Sequence, residues 1–276
     1  MEKPKEKPPK KPFGEGPEFP KALEEIQKFR TKYATNEAVP DSDIPIEFDL
    51  SDVMGFDFTG KVRDQSSCGS CYTMGFIQTL ESRLKMLTGK DPGALSPQHI
   101  MQCNYLTEGC TGGWAIFDGY LAENGGVVSE ECAPYLGVTR GHSCSEFSGC
   151  PSVASVNKSY AIHDATENQI KKEILRNGML VTDWYMPPYT KTYKSGIFSK
   201  AGDDDLMNLM SANLIPNHAS VIMGWGQEDI SAKKYWIVRN SFGQEFGING
   251  NIHIEMGEFM VSGYVAGFEP VLTGKQ

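Results

Sequence analysis

The chain has 276 residues, of which 39% are hydrophobic and 11% aromatic, the composition of a globular protein large enough for one sizeable domain or two packed lobes. Its formal net charge of −9 argues against a mainly electrostatic grip on nucleic acid. No apolar run approaches the roughly 18 residues of a membrane-spanning helix.

Residues 1–20 are rich in Lys, Pro, Gly and Glu, which predicts a mobile tail whose basic stretch offers a handle for a larger assembly. The tail has no apolar h-region, so it is not a secretory signal; the chain either lacks its leader or stays in a reducing compartment. Residues 21–43 form a second unit. Leu23, Ile26, Phe29 and Tyr33 recur at near-helical spacing, and the apolar face they predict packs either on the main core or over a cleft, like a short propeptide. Residues 44–276 form the main domain.

Within that domain, Cys71 opens an apolar run through Met74, Phe76, Ile77, Leu80, Leu84 and Leu87, a predicted helix that stops at Gly89. Ser96-Pro97 reads as an N-cap and an N1 proline. Gly112-Gly113 precedes a helix over about 114–123, and Thr166 with Gln169 makes a capping-box pattern. After Gly178 the pattern changes. Met179–Trp184, Ala219–Trp225, Tyr235–Val238 and Asn251–Glu255 are short β-branched and aromatic segments, the marks of strands. Helices early and strands late predict an α+β protein of two lobes with a cleft between them.

A cysteine at a helix start is a candidate nucleophile, because the dipole and free N–H groups there favour the thiolate. Seven cysteines, at 68, 71, 103, 110, 132, 144 and 150, make three pairs and one reactive thiol. Their spacing matches no tetrahedral zinc set, and Cys68-x-x-Cys71 lacks the βαβ context of a redox motif, so neither metal nor cofactor is expected. A thiol nucleophile needs a base and the base an orienter. Of the five histidines, His99 lies inside a helix, His142 in a cysteine-rich loop, His163 in a strand and His253 on a solvent-facing position. His218 stands at the mouth of an apolar strand, a rigid mount for a base. Asn240, at the end of Tyr235–Arg239, is a short amide able to hold the ring.

Cys68-Gly69-Ser70-Cys71-Tyr72, then Asn217-His218-Ala219 before an apolar strand, then Asn240-Ser241-Phe242-Gly243, resemble in kind and order the papain-like cysteine proteases, over about residues 44–270. Val62-Arg63-Asp64-Gln65, Tyr72 and Glu131-Cys132-Ala133-Pro134-Tyr135 narrow the resemblance to the dipeptidyl peptidase branch of the cathepsins. The added exclusion domain of that branch is not recognised here, so its exopeptidase activity is not implied. The resemblance implies a helical N-terminal lobe and a β-barrel-like C-terminal lobe. It makes Cys71 the nucleophile, His218 the base and acid, Asn240 the orienter, and Gln65 with the Cys71 N–H the oxyanion hole. Gly112 and Gly113 are to pair with an extended peptide or protein substrate, and Tyr264 is to floor a specificity pocket. The family pattern joins Cys68 to Cys110 and Cys103 to Cys132, which leaves Cys144 for Cys150. Relatives are lysosomal or secreted, and many are zymogens. Phe242 and Phe246 replace the usual tryptophans that shield the His–Asn contact, so a catalytically weak or inactive binding subunit of a larger assembly stands as the alternative. Asn157-Lys158-Ser159 is a glycosylation sequon, and Asp203–Asp205 reads as a solvated acidic loop.

Overall fold

The structure is a computed structural model, which describes residues 10–34, 39–141, 143–200 and 215–273. His142 and the Asp203–Asp205 run lie outside the described residues. Five α-helices and nine strands are described. The helices are α1 (Phe19–Lys32), α2 (Cys71–Thr88), α3 (Pro97–Cys103), α4 (Ala115–Gly125) and α5 (Glu167–Asn177). The strands are β1 (Phe48–Asp49), β2 (Val127–Val128), β3 (Ser152–His163), β4 (Leu180–Trp184), β5 (Ile197–Phe198), β6 (His218–Gln227), β7 (Lys234–Arg239), β8 (Asn251–Glu255) and β9 (Tyr264–Leu272).

The strands form one open mixed sheet in the order β2-β3-β9-β4-β6-β7-β8-β5, with β1 added against β6. Among the described strands only the β5–β8 pairing is parallel. The barrel-like closure expected of the second lobe is not present among the described strands, whose sheet keeps its edges at β2 and β5. The long β3–β9 ladder, from His163↔Tyr264 to Ala154↔Leu272, extends the sheet under α4, so helical and strand regions share a core.

Alternation along β4 divides that core. Leu180 and Trp184 face a cluster closed by Ile170, Ile174 and Leu175 of α5 and by Ala22 and Ile26 of α1. Val181 faces the other way, with Phe76, Leu80 and Leu84 of α2. Helix α2 is buried from Tyr72 to Met86, as a central helix surrounded on all sides must be. A Cβ placed on Gly75 would stand 3.3 Å from Val181 Cγ1, so glycine there lets the helix lie close on the sheet. Gly89, the helix stop, takes the left-handed conformation at φ 68°. Thr166 and Gln169 close their capping box.

Two expectations about the N-terminal region change. Residues 10–20 are packed: Lys11 bridges to Phe56, and the Phe13 ring meets Phe19 and Phe58 edge-on at 4.9 and 5.1 Å. Residues 1–9 of the expected tail lie outside the described residues. Helix α1 is not a clamp over the cleft. Gln27 donates to the Met86 carbonyl at 2.7 Å, and Leu23 lies against Gly89, both at the C-terminal end of α2. At 1.5 Å per residue that end is roughly 22 Å from Cys71. Phe19, Ala22 and Ile26 are buried, so α1 belongs to the main core.

The disulfides also differ in part. Cys68–Cys110 forms as expected, but Cys103 joins Cys144 and Cys132 joins Cys150, in place of Cys103–Cys132 and Cys144–Cys150. The reason lies in two local devices. Gln98 and Gln102 of α3 bond the backbone of residues 136, 138, 140 and 141, which lays that loop along the helix and brings Cys144 beside Cys103. The register Val128↔Ser152 brings the chain four residues after β2 beside the chain two residues before β3, and these are Cys132 and Cys150.

Candidate active site

Cys71 is the first residue of α2 and the one free cysteine among the described residues. The turn before it is pinned from several sides. Arg63 forms a buried ion pair with Glu81 of α2 and donates to the Leu95 carbonyl at 3.0 Å. Ser66 takes φ 55° with its N–H on Asp64 Oδ1 at 2.8 Å. The Gly69 N–H donates to the Cys110 carbonyl at 2.9 Å, and a Cβ on Gly69 would stand 2.6 Å from that oxygen, so only glycine fits beside the Cys68–Cys110 bridge. Ser70, the residue before the helix, makes no side-chain cap; its hydroxyl bonds Tyr135, which donates to the Gln65 carbonyl at 2.9 Å. The first N–H groups of α2 thus keep their unsatisfied, partly positive character beside the sulfur.

His218 opens β6, opposite Trp184 of β4. Asn240 follows β7 and is fully buried. The two meet at 2.8 Å between His218 Nε2 and Asn240 Oδ1. That Oδ1 also accepts the Ser241 N–H at 2.8 Å, which fixes it as the oxygen of the amide. Nε2 must therefore carry the proton and donate, which leaves the lone pair on Nδ1. Phe242 lies over the imidazole at 5.2 Å with an interplanar angle of 31°, and Phe246 meets Phe242 edge-on at 5.4 Å. Phenyl rings thus stand over the His–Asn contact, with Trp184 closing the other side of the histidine at 6.0 Å.

Gln65 ties the two halves together. Its N–H donates to the Ser241 carbonyl at 2.9 Å, and its Oε1 accepts from Ser241 Oγ at 2.6 Å. Its Nε2 donates one hydrogen to the Cys68 carbonyl at 2.9 Å, and the amide has a second hydrogen to offer. The Ala219 N–H, one residue past His218, reaches the Cys71 sulfur. Cys71, His218, Asn240 and Gln65 therefore converge from α2, β6, the end of β7 and the loop before α2.

Burial dominates the electrostatics. It pushes the Cys71 thiol above its ordinary value, against the pull of the Ala219, Tyr72 and Cys71 N–H groups, and the charge of Asp183 pushes the same way. Burial also pushes His218 down to about 4, opposed by the Asn240 hydrogen bond and reinforced by Lys191. The helix N-terminus does not by itself produce the thiolate expected from sequence. Burial thus disfavours the charged form of each group taken alone.

The remaining expected residues fall around this centre. Gly112, at φ 137°, has open space where a side chain would project, whereas Gly113 is pressed on Tyr72 and Thr107. Tyr264 opens β9, its ring 5.8 Å from Trp114 and 5.1 Å from His163. Its phenol is pushed up to about 12 by burial first and by Asp183 second. The site residue that sequence reading missed is Asp183 of β4, buried at 5% exposure opposite Ala219, with its Oδ2 unpartnered. Burial raises it to about 7. A lone carboxylate in the apolar stretch Met179–Trp184 was the available signal. Of the other histidines, His99 packs on Phe147, and His253 stacks on Tyr235. His99, Cys103 and Cys144 are grouped closely enough for a metal, but the two sulfurs are bonded to each other. A cavity of about 1160 Å³ lined by Phe48, Asp57, Arg239 and Asn251 includes none of the catalytic candidates.

A free thiol at a helix N-terminus and an amide-oriented imidazole are the components of a cysteine hydrolase type of site. Residues 44–265 match the model of the papain family of cysteine proteases. Cathepsin C of Schistosoma mansoni is 30% identical over 219 residues, 76% of this chain and 48% of that protein. Zingipain-2 of Zingiber officinale is 31% identical over 196 residues, 70% of this chain and 81% of that protein. The chain belongs to the papain family of cysteine proteases. It spans about half the length of the cathepsin C it resembles. Two solved structures share the fold: Ananas comosus bromelain in complex with the E64 inhibitor, at TM-score 0.68 and 24% identity over 82% of this chain and 99% of that one, and digestive procathepsin L 3 of Tenebrio molitor, at TM-score 0.70 and 20% identity over 91% and 79%. No described helix is long and apolar enough to cross a membrane.

Proposed function

We propose that the chain is a thiol peptidase that hydrolyses peptide or protein substrates through an acyl-enzyme. The single observation carrying this reading is the His218 Nε2–H···Asn240 Oδ1 bond, whose direction is set by the Ser241 N–H. It leaves Nδ1 free to take a proton. In the reading, the Cys71 thiol proton moves to Nδ1 and the thiolate attacks the scissile carbonyl carbon. The oxyanion is held by the second Gln65 Nε2–H and the Cys71 N–H. The imidazolium returns the proton to the leaving amine, giving a thioester on Cys71 and a free amino terminus. Water, deprotonated by Nδ1, attacks the thioester; the carboxylic acid leaves and the thiol is restored. The open side of Gly112 supports an extended peptide lying along that strip.

The alternative of a weak or inactive subunit has a weaker basis. The softened shield that motivated it is occupied by Phe242 and Phe246. The deciding experiment is labelling of the folded protein with a peptide-based thiol-directed electrophile between pH 5 and pH 8, followed by peptide mapping. One adduct on Cys71 is expected, absent in Cys71→Ala and much slowed in His218→Ala. No adduct on a protein with native circular dichroism would sink the peptidase reading.

A further inference from the structure

Asp183 is a charged group without an assigned task. Its strand, β4, buries all five residues, and Val181 faces α2. By alternation, Asp183 projects to the same side as Val181. The β4–β6 register sets it opposite Ala219, whose N–H reaches the Cys71 sulfur. The β4–β9 register runs Val181↔Ala266 and Thr182↔Val265, which carries Tyr264 to the next position, alongside Asp183. The carboxylate therefore lies on the floor between the nucleophile and Tyr264, and its field is felt at both.

Other buried carboxylates of this fold have partners. Glu81 is held by Arg63, Glu173 by Arg83 and Arg176, and Asp118 by Thr73 and Asn104. Asp183 has no hydrogen bond or ion pair among the described residues; its Oδ2 is buried and unpartnered, as is one oxygen of Glu81, whose other oxygen Arg63 holds. Burying an unpaired carboxylate costs several kcal/mol in a low-dielectric setting, and a valine or alanine would fill an apolar strand without that cost. The missing partner is one that arrives from outside. Tyr264, alongside the carboxylate by register, meets the ring of Trp114, 43% exposed, edge-on at 5.8 Å. Aromatic faces at a rim receive the aliphatic stem and the cationic head of a long basic side chain.

We propose that Asp183 is a specificity-determining residue that receives the cationic side chain of an Arg or Lys lying close to the scissile bond of a peptide substrate. This rests on the peptidase reading above. The pair restores to Asp183 the charge partner the fold withholds. It also cancels the negative charge that opposes ionisation of Cys71, so a matched substrate helps to activate its own nucleophile.

The test compares peptides that differ only in Arg against citrulline, which keeps the shape and removes the charge, placed in turn at each position flanking the cleaved bond. At one position kcat/KM is expected to favour Arg at least tenfold, and in Asp183→Asn the ratio is expected to fall towards one. Asp183→Glu, which keeps the charge, is expected to retain a preference. Equal cleavage of the Arg and citrulline peptides by the wild-type protein at every position overturns the proposal, as does an Arg preference that survives in Asp183→Asn. If no peptide is cleaved, the same pairs are titrated calorimetrically against Cys71→Ala and Cys71→Ala/Asp183→Asn. Tighter binding of the Arg peptide by the first protein only then upholds the pocket while the peptidase reading fails; equal binding overturns the pocket as well.

Discussion

Asp183→Asn, made in a Cys71→Ala background to prevent self-digestion, changes how stability depends on pH. The ordinary carboxyl value is 3.8 and burial raises Asp183 to about 7 in the fold. The folded state therefore holds its proton where the unfolded chain has lost it. Stability from this group is fully present below the ordinary value and is lost as pH rises through the window from about 4 to about 7. Each unit is worth about 1.36 kcal/mol, so the full loss is on the order of 4 kcal/mol, an upper figure because relaxation and entering water soften such burial. The Asn side chain does not titrate. It adds its own constant cost of about 1–3 kcal/mol for burying an amide without partners. The diagnostic is thus the slope and not the offset. Urea unfolding at pH 4.5, 6 and 7.5 should show the difference between the two proteins moving in favour of Asn by a few kcal/mol across the series, with a plateau above pH 7.5. A pH-independent difference would refute the reasoning and place Asp183 in contact with water or a cation.

Three further outcomes are expected. Asn240→Ala removes the acceptor that holds His218 Nε2–H and leaves the ring free to flip, so kcat/KM should fall about 10–100-fold, matching the loss of roughly 1.5–3 kcal/mol for a charge-assisted bond, while KM changes little; steady-state kinetics on any cleaved peptide checks this. Digestion without reduction, followed by mass spectrometry, should yield peptides joined through Cys103–Cys144 and Cys132–Cys150, and recovery of Cys103–Cys132 instead would contradict the loop placement along α3. Ile26→Ala, deep in the core cluster, should cost about 2–5 kcal/mol of stability in thermal or urea unfolding; a clamp over the cleft would instead give a protein of near-normal stability and raised activity.

Much of the active centre was legible because its members carry chemistry in their type and neighbourhood. Cys71 stood at a helix start, His218 at a strand mouth and Asn240 at a strand end, and each is found there. The strands β3 and β9 were less visible. Polar residues such as Asn157, Lys158 and Ser159 interrupt β3, and their place is decided by pairing along the β3–β9 ladder and by α4 packing above it. The role of α1 was ambiguous for a related reason: an amphipathic stripe states that something must cover it, and says nothing of what. Asp183 went unread because a carboxylate in an apolar run is informative only once its partners, or their absence, are seen.

The sequence by itself determined the family, the candidates Cys71, His218, Asn240 and Gln65, the Cys68–Cys110 bridge and the capping of α5, because these depend on residue type and on neighbours a few positions away or on a recognisable order of motifs. Only the tertiary structure decided which cysteines meet at 103, 132, 144 and 150, where α1 lies, that the sheet stays open, and that Asp183 is buried on the Cys71 side of β4 without a partner. Those outcomes depend on which distant backbones pair and pack. A single strand or loop carries no record of its neighbour, so pairing, burial and the field of a buried charge exist only when the chain has folded.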